Sequence, residues 1–259
     1  MGAAAGAAAT AVATASCGKG PAPDSKPDSG AASAPENPAE QGRKSYAQYG
    51  EDIVIVTMLQ HLGVVKPTFI DIGAHHPIIY NNTYLLYTLG ARGVLVEPNP
   101  HFADMLKARR PEDTTLNIGI GFSDKTEEAD YYVIKGDGAL NTFSPEQVAR
   151  YKAAKDGADA VVEVRKMPLV PVNEVLAKHF DGKAPDIFSI DVEGLDLDIL
   201  KTLDFARFKP AIICVETLVW GTHQLKPEIA ELIESKGYVL RGRTFVNSVF
   251  VDTDRIQKS

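Results

Sequence analysis

The chain has 259 residues, of which 44% are apolar, 24% charged and 8% aromatic; that is enough to bury a sizeable core, and it excludes a wholly disordered, collagen-like or coiled-coil protein. Acidic residues outnumber basic ones by 34 to 27, a formal charge of −7, and the resulting field repels nucleic acid and anionic membrane surfaces. The only cysteines, Cys17 and Cys214, lie far apart, so neither a disulfide framework nor a cysteine zinc site can be built, and a reducing, cytoplasmic setting suits the chain.

Residues 1–44 are rich in Ala, Gly, Pro and Ser, lack aromatic residues, Leu and Ile, and carry four charges of each sign. Such a segment cannot bury enough apolar surface to offset its ordering entropy, so a disordered leader is expected, with the folded domain over 45–259. The stretch ending Thr14-Ala15-Ser16-Cys17 is similar to the end of a bacterial export signal with acylation at Cys17, but no Lys or Arg precedes it, as a signal requires. An exported or lipid-anchored protein is the alternative if the true start lies upstream. No stretch is long and apolar enough for a membrane-spanning helix.

From Ser45 the chain alternates helical and strand patterns. Helical spacing covers Glu51 to Leu62, closing at Gly63. A buried strand, Thr68 to Ile72, runs into Gly73, and a helix follows from Asn82 to Leu89. A second strand, Gly93 to Glu97, precedes the turn Pro98-Asn99-Pro100 and a helix from His101 to Arg109. A third strand is expected over Thr115 to Ile120. The pattern then loosens until a polar helix near Pro145 to Lys155. Strand Asp186 to Asp191, helix Leu195 to Leu203, strand Ala211 to Glu216 and helix Glu228 to Ser235 lead to a closing antiparallel pair at Tyr238 to Leu240 and Val246 to Val251. Continuous apolar strands separated by helices predict a doubly wound α/β fold whose mostly parallel sheet is covered on both faces.

In such sheets ligands bind beyond the carboxyl ends of the strands. Four strand ends carry acids here: Asp71, Glu97, Asp191 with Glu193, and Glu216. Four carboxylates on one rim are costly to desolvate without a polar or cationic ligand, which makes the rim a site rather than scaffold. Gly73 occupies the place of a ligand-approach glycine after the first strand, and Glu97 that of a ribose-binding acid after the second. The G-x-G-x-x-G array that cradles a pyrophosphate is missing, since Ala74, His75, His76 and Pro77 follow Gly73, so NAD and FAD are not expected. S-adenosylmethionine fits, offering a ribose to Glu97 and cationic groups to acids such as Asp71.

Six segments in order, S-Y-A-Q-Y-G-E-D at 45–52, F-I-D-I-G-A-H-H-P at 69–77, N-N-T-Y-L-L-Y at 81–87, V-E-P-N-P at 96–100, A-L-N-T-F-S at 139–144 and S-I-D-V-E-G-L-D at 189–196, resemble the FkbM-type methyltransferase family. The resemblance spans about residues 45 to 252. It implies a class I S-adenosylmethionine-dependent fold of seven strands and methyl transfer to a hydroxyl of a sugar or other secondary metabolite. By that resemblance Asp71, Gly73 and Ala74 line the methionine end and Glu97 holds the ribose. Asp124, in the turn Gly121 to Asp124, contacts the adenine amine, and Asp191 and Glu193 face the methyl-transfer centre.

An alcohol acceptor needs a base within hydrogen-bond reach. Asp191 is the preferred base, Glu193 steers the acceptor, and His75 or His76 is the other candidate, at most one of the two facing the site. A metal at His75, His76, Asp71, Asp191 and Glu193 is not favoured, and the acids from Asp191 to Asp198 lack EF-hand spacing. Glu216 and Trp220 lie where the acceptor would be covered. The expected partner is a small-molecule or glycan acceptor. The alternatives are an inactive methyltransferase-like scaffold or binding protein and a metal-dependent hydrolase at the acid rim.

Overall fold

The computed structural model describes residues 43–136, 138, 140–153, 159–219 and 222–256. The leader up to residue 42, with Cys17, and Trp220 lie outside the described residues.

The main sheet contains β1 (Thr68–Ile72), β2 (Arg92–Val96), β3 (Thr114–Leu116), β7 (Ile187–Ile190), β8 (Ile212–Glu216), β9 (Tyr238–Arg243) and β10 (Asn247–Asp252). Their order is β3-β2-β1-β7-β8-β10-β9, with β10 antiparallel to both neighbours and the pairs from β3 to β8 parallel. The expected doubly wound fold with its closing antiparallel pair is therefore present.

Alternation along each strand feeds two cores. Ile70 and Ile72 point into a cluster with residues of α5 (Val172–His179), α6 (Asp196–Thr202) and α7 (Pro227–Ser235). Phe69 points the other way, into a cluster with α1 (Glu51–His61), α2 (Tyr84–Thr88) and Leu106 of α3 (Pro100–Arg109). Removing each such side chain from water contributes roughly 1.5–3 kcal/mol, so the central strands anchor the fold and hold their ends in place. Helix α1 stops as expected, with Gly63 at φ +68 just beyond it, a left-handed conformation that favours glycine.

Three sequence expectations need correction. The run Thr115 to Ile120 is not one strand: β3 ends at Leu116, and the chain departs to form β4 (Gly119–Gly121) in a second sheet. Between them, Asn117 Nδ2 donates to the carbonyls of Glu97 and Pro98 at 2.8 and 2.9 Å, tying the departure point to the end of β2. The loosened region is also ordered. It forms β5 (Glu127–Ile134), antiparallel to β6 (Val161–Pro171), which pairs in parallel with β4. Finally, α2 starts at Tyr84 rather than Asn82, because Asn81 and Thr83 are engaged with Arg110 and Asp71. The polar helix is α4 (Pro145–Ala153), and a short α8 (Thr253–Ile256) follows β10. Among the described residues no helix is long and apolar enough to cross a membrane.

Candidate active site

Strand register builds the site. Ile72, Val96, Ile190 and Val215 stand abreast on four adjacent strands, and the next residues are Gly73, Glu97, Asp191 and Glu216. Main-chain bonding continues one step beyond that row. Gly73 N and Ala74 N donate to the Val96 carbonyl at 2.9 and 3.1 Å, and Asp191 N donates to Ile72 O at 3.0 Å. Three acids thus share one rim with a glycine between them.

Gly73 is required by its surroundings. Its φ is +84, and a β-carbon there would overlap the Asp191 carbonyl. The bare backbone lets β1 and β7 part closely and leaves open a hollow lined by Gly73, His75, Glu97, Asn141, Asp191 and Glu193, among others. Glu97 is 4% exposed; its Oε2 accepts from His75 N and its Oε1 from Asn99 N, both at 2.7 Å. Burial pushes its pKa up to about 7 against those two donors, and the nearby Asp71 adds to the rise. Such a carboxyl gains from further donors such as ribose hydroxyls.

Asp191 and Glu193 come together through a turn, not through strand alternation, since β7 ends at Ile190. Glu193 sits at φ +54, a conformation costing about 1–3 kcal/mol outside glycine. Asp196 braces the turn by accepting from Val192 N at 3.1 Å and Gly194 N at 3.3 Å. Burial, then the charges of Glu216 and Glu193, raise the Asp191 pKa well above the carboxylate range. Glu193 is pushed up to about 8, by burial first and then by Glu216, while the Tyr151 hydroxyl, donating to its Oε2 at 3.1 Å, opposes the shift. A second hollow shares Gly73, His75, Asp191 and Glu193 with the first and continues to Glu216.

The two histidines make different contacts. His75, at φ +49, lines both hollows and packs its ring 4.1 Å from that of Phe102. His76 Nδ1 accepts from Ile78 N and Ile79 N at 3.1 and 3.0 Å. That geometry fits a neutral ring, and burial followed by the charges of His75 and Arg109 lowers the His76 pKa. His76 braces the turn.

Not every residue read from the sequence lies on these walls. Asp71 sits two rows below the rim, opposite Leu95 and Ser189, and accepts from the Thr83 hydroxyl at 2.7 Å. Arg110, fully buried, donates to Thr83 Oγ1 and Asn81 Oδ1 and pairs with Asp113 at 2.8 Å. Burial raises the Asp71 pKa, against the pull of Thr83 and Arg110. Ala74 is buried beside this network. Asp124 is exposed and lines a separate hollow with Asn173 and Thr202.

Sequence reading missed two contributors, Lys226 and Tyr151, and read a third, Asn141, only as part of a family-like segment. Lys226 pairs with Glu216 at 2.6 Å and approaches Asp196 at 3.8 Å. Tyr151 reaches Glu193 from α4. Asn141 lines the first hollow from the segment after β5. Nothing in the spacing of Lys226 or Tyr151 marked them, whereas Asn141 lay inside a family-like segment. Among the described residues no group of three or more His, Cys, Asp or Glu is placed to hold a metal ion.

Comparison with known proteins identifies a family. The family described as methyltransferase FkbM domain matches residues 71–240, more than half of the chain. No curated protein matches. Among solved structures, a TehB-like SAM-dependent methyltransferase from Corynebacterium glutamicum is 13% identical with a TM-score of 0.40, over 80% of this chain and 89% of that one. A methyltransferase FkbM from Methylobacillus flagellatus is 15% identical with a TM-score of 0.44, over 72% of this chain and 43% of that one. A magnesium protoporphyrin IX methyltransferase from Synechocystis PCC 6803, solved with SAM bound, is 7% identical with a TM-score of 0.40, over 79% and 80% of the two chains. The rim suits S-adenosylmethionine in its chemistry: it has a buried acid able to accept from hydroxyls, a bare glycine turn and a buried amide donor on the same wall. With its family model covering most of the sheet, this chain belongs to the FkbM methyltransferase family, and its cofactor is S-adenosylmethionine.

Proposed function

We propose that the chain methylates a hydroxyl of a sugar or other polyhydroxylated secondary metabolite. The observation that supports this reading is the continuity of the two hollows. Both are walled by Gly73, His75, Asp191 and Glu193. The outer one also touches Tyr49, Tyr80 and Phe245, residues that are 49%, 61% and 53% exposed. Exposed rings over an acidic floor suit a sugar, whose apolar face stacks while its hydroxyls donate to carboxylates.

In this reading Glu97 accepts from the ribose hydroxyls and the Gly73–Ala74 backbone follows the methionine end, with Asp71 ordering that turn from behind. When bound, S-adenosylmethionine supplies the electrophilic methyl group. Asp191 takes the proton from the acceptor hydroxyl, and its raised pKa makes it a stronger base than an exposed carboxylate. Glu193, held by Tyr151, orients the acceptor, and His75 stands where the hollows join. The net charge of −7 accords with an acceptor that is not nucleic acid.

The test is methyl transfer from labelled S-adenosylmethionine to a panel of sugars by the full chain, with S-adenosylhomocysteine binding measured in parallel. Asp191→Asn is expected to lower turnover by about 100-fold or more while leaving binding within a few-fold. Full turnover in that variant would remove Asp191 as base. Binding without transfer to any hydroxyl acceptor would favour a non-catalytic, ligand-binding role.

A further inference from the structure

Asn141 is 9% exposed, and its amide is oriented by a main-chain contact: Oδ1 accepts from Ile134 N at 2.8 Å. The opposite corner of the amide, Nδ2, is buried and has no hydrogen-bond partner. A buried amide N–H left unpaired costs about 1–3 kcal/mol, so such a donor needs an explanation. It lies beside Gly138, where an added β-carbon would stand 3.3 Å from it, and both residues line the hollow that contains Glu97.

Glu97 and Asn141 converge on one corner of that hollow. Both act on the Tyr131 hydroxyl, whose pKa is raised by burial first and then by the Glu97 charge and is lowered by the Asn141 side chain. The corner therefore presents a carboxylate acceptor and an unsatisfied amide donor. A hydroxyl can donate to the first and accept from the second at once, which neither an ether nor a methylene can do.

We infer that Asn141 Nδ2 is a ribose-binding donor, completing with Glu97 a two-point clamp on a cofactor hydroxyl. The inference rests on the proposed placement of the ribose at Glu97. It assigns a recognition role to the segment between β5 and α4, outside the main sheet. The donor is neutral and oriented by the backbone, so the clamp distinguishes a hydroxyl from its absence without adding charge to the rim.

Calorimetry on the full chain with two ligands, S-adenosylhomocysteine and its 2′,3′-dideoxy analogue, tests this. Asn141→Asp keeps an acceptor for Ile134 N and loses the donor; Asn141→Ala loses both. In the wild type the dideoxy ligand should bind much more weakly. In both variants that gap should shrink by about tenfold, because only the hydroxyl ligand loses a bond. A general packing defect would weaken both ligands alike and leave the gap intact, and an unchanged gap overturns the inference. Glu97→Ala separates the two levels. If it collapses the gap while the Asn141 variants do not, the ribose lies at Glu97 and Asn141 is not its donor. If Glu97→Ala also leaves the gap unchanged, the placement of the ribose itself is wrong.

Discussion

Lys226 sets its ammonium 2.6 Å from Glu216 Oε2, with both side chains largely buried. Burial alone would lower the lysine pKa, but Asp196 and Glu216 outweigh it and raise the value. Glu216 in turn is raised by burial despite the lysine. Lys226 is therefore the cation that makes a third acid on the rim tolerable.

Removing that cation should be costly. Lys226→Met is expected to destabilise the protein by about 2–4 kcal/mol at neutral pH, since breaking a buried pair leaves the partner charge uncompensated. The penalty should shrink in acid, where Glu216 is protonated, and should be smaller in Lys226→Met combined with Glu216→Gln. Urea denaturation of the single and double variants measures this. An additive double variant would mean that the two side chains are not energetically coupled.

The turn after β1 predicts a contrast between two glycines. Gly50 and Gly73 both have positive φ, at +92 and +84, but only at Gly73 would a β-carbon meet backbone, that of Asp191. Gly50→Ala should cost about 1–2 kcal/mol from backbone strain alone. Gly73→Ala should cost clearly more and abolish the rise in melting temperature with S-adenosylhomocysteine. Equal costs would show that β1 and β7 can separate freely.

Stability of the ligand-free protein should fall as pH rises. Glu97 and Glu193 have folded pKa values raised from an ordinary 4.5 to about 7 and about 8. The folded state thus holds these protons more tightly than the unfolded chain. Their contribution is fully present below about 4.5 and is lost as pH climbs through about 7 and about 8, a change on the order of a few kcal/mol. Urea midpoints from about pH 5 to about pH 9 should decline accordingly, and Glu193→Gln should flatten the alkaline end of the curve. A flat wild-type profile would contradict the burial of these carboxyls.

Glu97→Gln separates ligand binding from folding. The amide keeps an acceptor for only one of the two backbone donors, so the ligand-free protein should lose about 1–3 kcal/mol, offset in part by removal of a buried ionisable group. Affinity for S-adenosylhomocysteine should drop by about 10- to 100-fold, the value of hydrogen bonds to a charged acceptor. Isothermal titration decides, and unchanged affinity would displace the ribose from Glu97.

The main sheet was legible because its strands are unbroken apolar runs ending in Gly73, Glu97, Asp191 and Glu216, and register follows directly from such runs. The second sheet was not. In β6, the eleven residues Val161–Pro171, the charges of Glu163, Arg165 and Lys166 and two prolines interrupt the apolar run, and most of the strand is exposed or half-buried. The split between β3 and β4 depends on Asn117 bonding to the end of another strand, a contact that no local pattern encodes. At the site, acids at strand ends could be read one by one. Lys226 could not, because only the fold brings a residue of the segment before α7 back to Glu216. Asp71 has the composition of a rim acid but lies two residues before the rim position held by Gly73, deep enough in β1 for its carboxylate to be taken up by Thr83.

The interior place of β10 sets an order of assembly. Strand β9 meets the main sheet only through β10, which follows it in the chain. During synthesis β8 therefore presents an open, hydrogen-bonding edge until residues 247–252 have been made, and Glu216 stands at the end of that bare edge. A nascent chain in that state carries all four strands of the rim but an unprotected template for pairing with other chains. The rim is thus made before its edge is covered, and protection from aggregation waits for β10.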